Sequence, residues 1–141
     1  MNRPEPRDDL HALEGYHSPQ LDVAVRLNTN ESPYPPPQAF VEAWLERLRG
    51  IALNRYPDRA ATELRRAIAH RLDQPEDRVF AANGSNEVLQ TLLLTYGGAG
   101  RKALVFEPTY ALHSHISRIT GTEVVCGTRA DDFSLDPDHA R

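Results

Sequence analysis

Two short motifs of the sequence combine residue types that could hold a small anionic ligand, and the first is Asn83-Gly84-Ser85-Asn86. It lies between an apolar segment, predicted to be a strand, and a helical pattern that follows it. The first N–H groups of a helix have no partner inside the helix and lie at its positive end, so they can bind an anion such as phosphate. The Ser85 hydroxyl adds a donor, and Gly84 allows a sharp turn. The same residue types also favour a plain capped turn, so the motif alone leaves both interpretations open.

The second motif, Pro108-Thr109-Tyr110, follows the next predicted strand and therefore lies at the same edge of a parallel sheet. Ligands of open parallel sheets bind at the edge where the strands end. Tyr110 could present its ring to a planar ligand while its hydroxyl stays hydrogen-bonded. The alternative is that Tyr110 only covers the local core.

The other reactive side chains give weaker signals. Lys102 is the only lysine, and it begins a predicted strand at the edge of the sheet opposite to Ser85, which is the wrong place for a Schiff base with a ligand at that residue. His113 and His115 are two residues apart on a predicted helix and point in nearly opposite directions, so we predict no metal site. Cys126 lies in an apolar strand and is predicted to be a buried structural thiol.

The elements that must position these motifs alternate between strands and helices, which predicts an α/β fold with a mostly parallel sheet and helices on both faces. The strands are predicted at Val79–Ala82, Ala103–Phe106 and Val124–Cys126. The helices between them end at Gly97-Gly98 and at Gly121. Their apolar stripes are Val88, Leu89, Leu92 and Leu93 in the first helix, and Leu112, Ile116 and Ile119 in the second.

Two further helices are predicted earlier in the chain. The first begins at Pro37, ends at Gly50 and carries apolar residues at helical spacing. These are Phe40, Val41, Trp44, Leu45 and Leu48. In the second helix, Asp58 is the predicted cap, and Leu64, Ile68 and Leu72 form the predicted buried stripe.

Residues 1–36 are interrupted by prolines and are predicted to form an extended arm with one short strand at Val23–Leu27. The run Pro33-Tyr34-Pro35-Pro36-Pro37 is either a stiff spacer or a shaped loop at the mouth of a substrate site. We therefore expect residues 1–50 to form the arm and first helix, and residues 51–141 the first part of a larger α/β domain. The final residues, from Asp136, have the pattern of a helix start, so we expect a truncated segment.

Composition excludes several classes of protein. The 141 residues include 16 Lys plus Arg and 20 Asp plus Glu, and the resulting net charge of −4 argues against a nucleic-acid partner. The apolar runs are far shorter than the ~20 residues of a membrane span, and the N-terminus lacks the apolar core of a secretory signal. With its single cysteine, the chain is expected to be cytoplasmic. Gly97-Gly98-Ala99-Gly100 follows a helix rather than a strand, which argues against a nucleotide-binding or flavodoxin-like module.

Four motifs, in the same order along the chain, resemble the histidinol-phosphate aminotransferase family. They are Leu27-Asn28-Thr29-Asn30-Glu31-Ser32-Pro33, Asn54-Arg55-Tyr56-Pro57-Asp58, Ala82-Asn83-Gly84-Ser85-Asn86-Glu87-Val88-Leu89 and Pro108-Thr109-Tyr110. Members of that family are fold-type-I enzymes of histidine biosynthesis that use pyridoxal 5'-phosphate. The resemblance runs from about Tyr16 to the last residue and corresponds to the N-terminal part of such an enzyme.

The resemblance implies a pyridoxal-phosphate site in the two motifs described first. Gly84, Ser85 and Asn86 match the loop that holds the cofactor phosphate, and Tyr110 matches the aromatic residue that stacks on the pyridine ring. The residues themselves already indicate an anion site at Ser85 and a stacking surface at Tyr110, so both lines of reasoning agree. Only the resemblance supplies the identity of the cofactor.

The resemblance also implies a homodimer and a substrate site. Tyr56 matches a tyrosine that reaches across the dimer to the cofactor phosphate of the partner, while Tyr16 and Asn30 match the part of the N-terminal arm near the substrate. The implied reaction converts L-histidinol phosphate and 2-oxoglutarate to imidazole acetol phosphate and L-glutamate. The resemblance implies neither a membrane nor a nucleic acid as a partner.

The catalytic lysine of the family does not occur in this segment, so no residue of the chain is predicted to be catalytic and the segment alone is expected to be inactive. The late arginines that would bind the substrate phosphate and carboxylate are also missing. Three alternatives therefore stay open. They are an aromatic-amino-acid aminotransferase, a phosphothreonine decarboxylase of the same fold, and a non-catalytic phosphate-binding remnant.

Overall fold

In a computed structural model of the chain, residues 4–140 are described, without the side chains of residues 139 and 140. Met1–Arg3, which belong to the N-terminal segment predicted to lack a signal, and Arg141 lie outside the described residues. The helices and strands follow in the order α1 (Gln38–Arg49), α2 (Thr62–Leu72), α3 (Ser85–Tyr96), β1 (Lys102–Glu107), α4 (Leu112–Ile119) and β2 (Glu123–Thr128). Short 3-10 turns lie at Asp8–Leu10, Glu76–Arg78 and Pro137–Ala140.

The chain divides into two compact units, one of residues 1–16 with 80–141 and the other of residues 17–79. The division predicted at residue 50 is a functional one, between the N-terminal arm and the large domain of an enzyme, and does not concern compactness. It stays a prediction.

The first unit contains the parallel sheet. β1 pairs with β2 in the register Lys102↔Glu123 to Glu107↔Thr128. α3 precedes β1, and α4 connects the two strands, in the strand–helix–strand order that parallel pairing requires. The predicted α/β fold with a parallel sheet is therefore confirmed.

The core of this unit lies between the sheet and α4. Val105 of β1 and Leu112 and Ile116 of α4 are buried, with Leu112 and Ile116 one turn apart on the same helix face. Ser117 is also buried. Its hydroxyl donates to the carbonyl of His113 at 2.7 Å, so this buried polar group has a hydrogen-bond partner.

The second unit contains α1 and α2. α1 begins at Gln38, one residue after the predicted first position Pro37, and ends at Arg49, with Gly50 as its C-cap. Asp58 accepts hydrogen bonds from the backbone N–H of Thr62 at 2.7 Å and of Ala60 at 3.0 Å, so it caps the start of α2. These bonds stabilise the charged form of the Asp58 carboxyl and so hold its pKa below the usual value. The bond from Thr62 has the larger effect.

Two predicted strands do not form. Val23–Leu27 and Val79–Ala82 have no strand structure, because a strand requires a neighbour and no described segment pairs with either. The carbonyl of Val79 instead accepts a hydrogen bond from Arg65 Nε at 2.8 Å. The described residues thus form a sheet of two strands rather than the three predicted.

Two predictions of burial are also wrong. Leu64 and Leu72 of α2 are exposed, and Ala69 is the buried residue of that helix. Cys126 is exposed as well, since β2 has β1 as its only described neighbour and no described element covers the thiol. Residue type and spacing show which face of an element is apolar, whereas burial needs a second element to pack against that face.

Candidate functional site

The candidate site begins at the turn that leads into α3. Gly84 precedes the helix with φ at +85° and ψ at 170°, a backbone conformation that L side chains rarely adopt. The backbone N–H of Asn83 donates to Glu87 Oε2 at 2.6 Å, and this contact holds the turn against the first turn of the helix. No side chain caps the start of α3 among the described residues, so the N–H groups of Ser85 and Asn86 point out of the helix uncapped.

Tyr110 follows the end of β1 and lies beside this turn. Its hydroxyl donates to Asn86 Oδ1 at 3.4 Å, which links the two motifs that the sequence indicated separately. The Tyr110 side chain is 44% exposed, so part of the ring surface is accessible to a ligand. The predicted strand before Gly84 is missing, yet the two motifs still meet.

Polar contacts fix the short turn that carries Tyr110. The Thr109 backbone N–H donates to Glu107 Oε2 at 3.0 Å. Arg129, just after β2, donates through Nε to the Pro108 carbonyl at 3.2 Å and through its terminal nitrogen to the Phe133 carbonyl at 3.1 Å. The position of Tyr110 is therefore set by both strands of the sheet.

Two more rings pack against Tyr110. The Tyr16 ring lies 6.3 Å from it, centroid to centroid, with an interplanar angle of 76°, and the His113 ring lies at 5.7 Å with an angle of 89°. Both are edge arrangements of the kind aromatic pairs favour. The structure thus brings Tyr16, Tyr110 and Asn86 together in one unit, whereas Tyr56 and Asn30 belong to the other unit and their roles stay predictions.

Sequence reasoning missed His113 and Arg129 as parts of this site. It considered His113 only as a metal ligand. The position of His113, three residues after Tyr110 at a helix start, already indicates that the two side chains lie close together. Nothing in the sequence around Arg129 points to the Pro108 carbonyl, because that contact depends on strand pairing. Among the described side chains, which are those of residues 4–138, no group of three or more His, Cys, Asp or Glu residues could hold a metal ion.

Lys102 lies at the far end of β1, as predicted. Its Nζ is 3.7 Å from Glu123 Oε1, in an exposed cross-strand ion pair. With a rise of about 3.3 Å per residue, the strand separates Lys102 from the Tyr110 turn by roughly 16 Å. Lys102 therefore cannot reach a ligand held by Tyr110.

An apolar groove of about 380 Å³ opens beside β1, between α3 and α4. Neither Ser85 nor Tyr110 lines it, but Thr109, His113 and Arg129 do. The rest of its walls come from Leu89, Leu92 and Leu93 of α3, residues 103–106 of β1 and Ser117 of α4. Because consecutive residues of β1 line this groove, it follows the free edge of the strand. The groove therefore adjoins the candidate site and shares Thr109, His113 and Arg129 with it. None of the helices formed by residues 4–140 has the length and apolar character needed to cross a membrane.

A parallel α/β unit with an uncapped helix start beside an exposed tyrosine is a suitable frame for a phosphate-bearing aromatic ligand. The chain belongs to the aminotransferase class I and II family, whose profile matches residues 22–141. Enzymes of this family generally depend on pyridoxal phosphate.

Individual relatives carry a more specific name. The chain is 51% identical over 139 residues to the histidinol-phosphate aminotransferase of Thermobifida fusca, with 95% of this chain and 38% of the relative covered. It is 46% identical over 142 residues to that of Corynebacterium efficiens, with the same two coverages. It is 50% identical over 139 residues to that of Frankia casuarinae, covering 93% of this chain and 35% of the relative. The chain thus spans little more than a third of the length of these relatives.

Proposed function

We propose that this chain is the N-terminal part of a histidinol-phosphate aminotransferase and forms part of its pyridoxal-phosphate site. The observation that carries the proposal is the contact between Tyr110 and Asn86 at the start of α3, which combines a planar surface with anion donors. Relatives of that name, at 46% to 51% identity, support the choice of reaction.

The donors at this turn fit the phosphate of pyridoxal phosphate, and the exposed ring of Tyr110 fits its pyridine ring. Ser85 would donate its hydroxyl and its backbone N–H to the phosphate, together with the N–H of Asn86. Gly84 allows the φ of +85° at which the backbone enters the helix, and in this conformation the phosphate can approach the donors. When bound, pyridoxal phosphate supplies an electron sink for the carbon that loses a proton.

The residues of this chain then bind and orient rather than transfer protons. Tyr110 sets the plane of the cofactor ring, and the Asn86 amide oxygen that accepts the Tyr110 hydroxyl keeps this phenol from rotating away. Tyr16 and Asn30 would contact the substrate. The whole enzyme would convert L-histidinol phosphate and 2-oxoglutarate to imidazole acetol phosphate and L-glutamate.

The function is tested on the complete enzyme, by which we mean the full-length gene product that contains this segment. Purified enzyme loaded with pyridoxal phosphate is given 2-oxoglutarate with L-histidinol phosphate, L-phenylalanine or O-phospho-L-threonine in separate assays. We expect the largest kcat/KM with histidinol phosphate. A preference for phenylalanine, decarboxylation of phosphothreonine, or no turnover at all would each contradict the proposal in favour of one alternative.

The sole lysine gives a prediction for the 141-residue chain itself. Because Lys102 lies at the wrong end of β1, we expect no coloured adduct to be retained when the chain is mixed with pyridoxal phosphate and desalted. The visible spectrum before and after desalting measures this. A retained band that disappears in the Lys102→Ala variant would contradict the placement of the lysine.

We further propose that the complete enzyme is a homodimer in which Tyr56 contacts the cofactor phosphate of the partner subunit. Tyr56 is fully exposed in its own unit, in the connection between α1 and α2, so its hydroxyl is available to another chain. Tyr56→Phe is expected to weaken pyridoxal-phosphate binding about three- to tenfold, the value of one exposed hydrogen bond. The melting temperature of the cofactor-free dimer should change little.

A mixed dimer separates a contact across the interface from one within the subunit. One subunit carries Tyr56→Phe, and the other carries Ser85→Ala with Tyr110→Ala, so that only the first subunit retains an intact cofactor loop. If Tyr56 acts across the interface, the intact loop is served by a native tyrosine and binds the cofactor with wild-type affinity. If that loop instead binds the cofactor as weakly as the Tyr56→Phe homodimer does, Tyr56 contacts the cofactor of its own subunit.

A further inference from the structure

His113 occupies the first turn of α4 and faces the ring of Tyr110. The two ring centroids are 5.7 Å apart, and the ring planes are nearly perpendicular, at 89°. The backbone N–H of His113 also donates to the Tyr110 carbonyl at 3.0 Å, so the two residues are joined through the main chain as well. His113 thus contacts the proposed stacking surface without belonging to the phosphate-binding turn.

The imidazole is itself held in place. Its Nδ1 lies 3.3 Å from Thr109 Oγ1, and the Thr109 backbone N–H donates to Glu107 Oε2 at the end of β1. The main chain of His113 is also held, because the Ser117 hydroxyl in the next turn of α4 donates to the His113 backbone carbonyl at 2.7 Å. A continuous series of contacts therefore leads from the end of the strand through Thr109 and His113 to the Tyr110 ring.

We propose that His113 is a positioning residue for Tyr110, and that its ring sets the orientation in which Tyr110 meets the cofactor. The inference rests on the proposed function, since it assigns a role toward pyridoxal phosphate. An aromatic side chain that is 44% exposed can reorient unless neighbours restrain it, and any reorientation must be reversed when the ligand binds. A perpendicular ring at 5.7 Å restrains the tyrosine before the cofactor arrives.

Two variants of the complete enzyme separate the ring contact from the hydrogen bond. His113→Phe keeps a ring beside Tyr110 and loses the polar contact with Thr109. His113→Asn keeps a polar atom near the position of Nδ1 and loses the ring. The control is His115→Asn, the same change at another half-buried histidine two residues further along α4, which points away from Tyr110.

The measured quantities are the dissociation constant of pyridoxal phosphate and the circular dichroism that the bound cofactor shows in its visible absorption band. We expect His113→Asn to weaken binding about two- to tenfold, in the range of aromatic pairs of this geometry, and to reduce the dichroism. His113→Phe should lie between His113→Asn and the wild type, and His115→Asn should match the wild type. A structural role alone would not change the dichroism of the cofactor that is still bound.

A double-mutant cycle with Tyr110→Ala completes the test. If His113 acts through Tyr110, His113→Asn has no further effect on cofactor affinity once the tyrosine ring is gone. Equal effects of His113→Asn in both backgrounds, or wild-type affinity and dichroism in His113→Asn, would overturn the inference while the wild-type enzyme still binds the cofactor. Failure of the proposed function is a different result, because the wild-type enzyme itself would then not bind pyridoxal phosphate.

Discussion

Replacing Ser85 with alanine is expected to weaken pyridoxal-phosphate binding by the complete enzyme about ten- to a hundredfold. The change removes one hydrogen bond to a charged phosphate, and such a bond is worth about 1.5–3 kcal/mol. Ser85 is the first residue of α3 and is exposed, so the loss of its hydroxyl leaves the fold intact. Cofactor titration of the apoenzyme gives the dissociation constant, and kcat at saturating cofactor is expected to change much less.

The matched control removes a hydroxyl from the other end of the same helix. Thr95 Oγ1 donates to the Thr91 carbonyl at 2.7 Å in the last turn of α3, far from the proposed phosphate. Thr95→Val should leave cofactor affinity at the wild-type value. An unchanged dissociation constant in Ser85→Ala would mean that the Asn83–Asn86 turn is a plain capped turn.

The second large effect is expected for the Gly97→Ala variant. Its free energy of unfolding should fall by about 1–3 kcal/mol because of overpacking. A Cβ at Gly97 would overlap Thr122 Oγ1 and would lie 2.5 Å from the Leu93 carbonyl oxygen. Neither obstacle can move easily, since the carbonyl belongs to α3 and the Thr122 hydroxyl accepts the Gly98 N–H at 2.8 Å in a buried position. Breaking that hydrogen bond would add about 1 kcal/mol.

Denaturant unfolding of the complete enzyme, followed by circular dichroism, measures this loss against Gly15→Ala. Gly15 belongs to the same unit, and a Cβ there would meet no atom within 4 Å. We expect Gly15→Ala to unfold at the wild-type denaturant concentration. Equal midpoints for Gly97→Ala and the wild type would contradict the close packing between the end of α3 and Thr122.

The parts of the fold that the sequence predicts well are those that depend on local patterns. α3, β1, α4 and β2 each have a continuous apolar pattern and a glycine or a turn at the end, and all four form within a few residues of the predicted bounds. Val23–Leu27 and Val79–Ala82 have similar local patterns but lack a described neighbour. Strand formation and the burial of Leu64 or Cys126 depend on distant segments, which the local pattern does not contain.

The candidate site divides in the same way. Ser85 and Tyr110 were predictable because each follows an apolar segment with the local pattern of a strand, although only the segment before Tyr110 forms a strand of the parallel sheet. The contact of Tyr16 with Tyr110 brings together residues far apart in the chain, and only the family resemblance placed Tyr16 near the substrate. The contact of Arg129 with the Pro108 carbonyl results from the pairing of β1 with β2, and so it requires the structure.

The central claim is that the start of α3 and Tyr110 together hold pyridoxal phosphate, and a crystal structure of the complete enzyme with this cofactor tests it most directly. We expect phosphate oxygens within about 2.7–3.2 Å of the backbone nitrogens of Ser85 and Asn86. The pyridine ring should lie against the Tyr110 ring in the same subunit. Density for the phosphate at another element, with the Ser85 turn in contact with solvent alone, would contradict the claim.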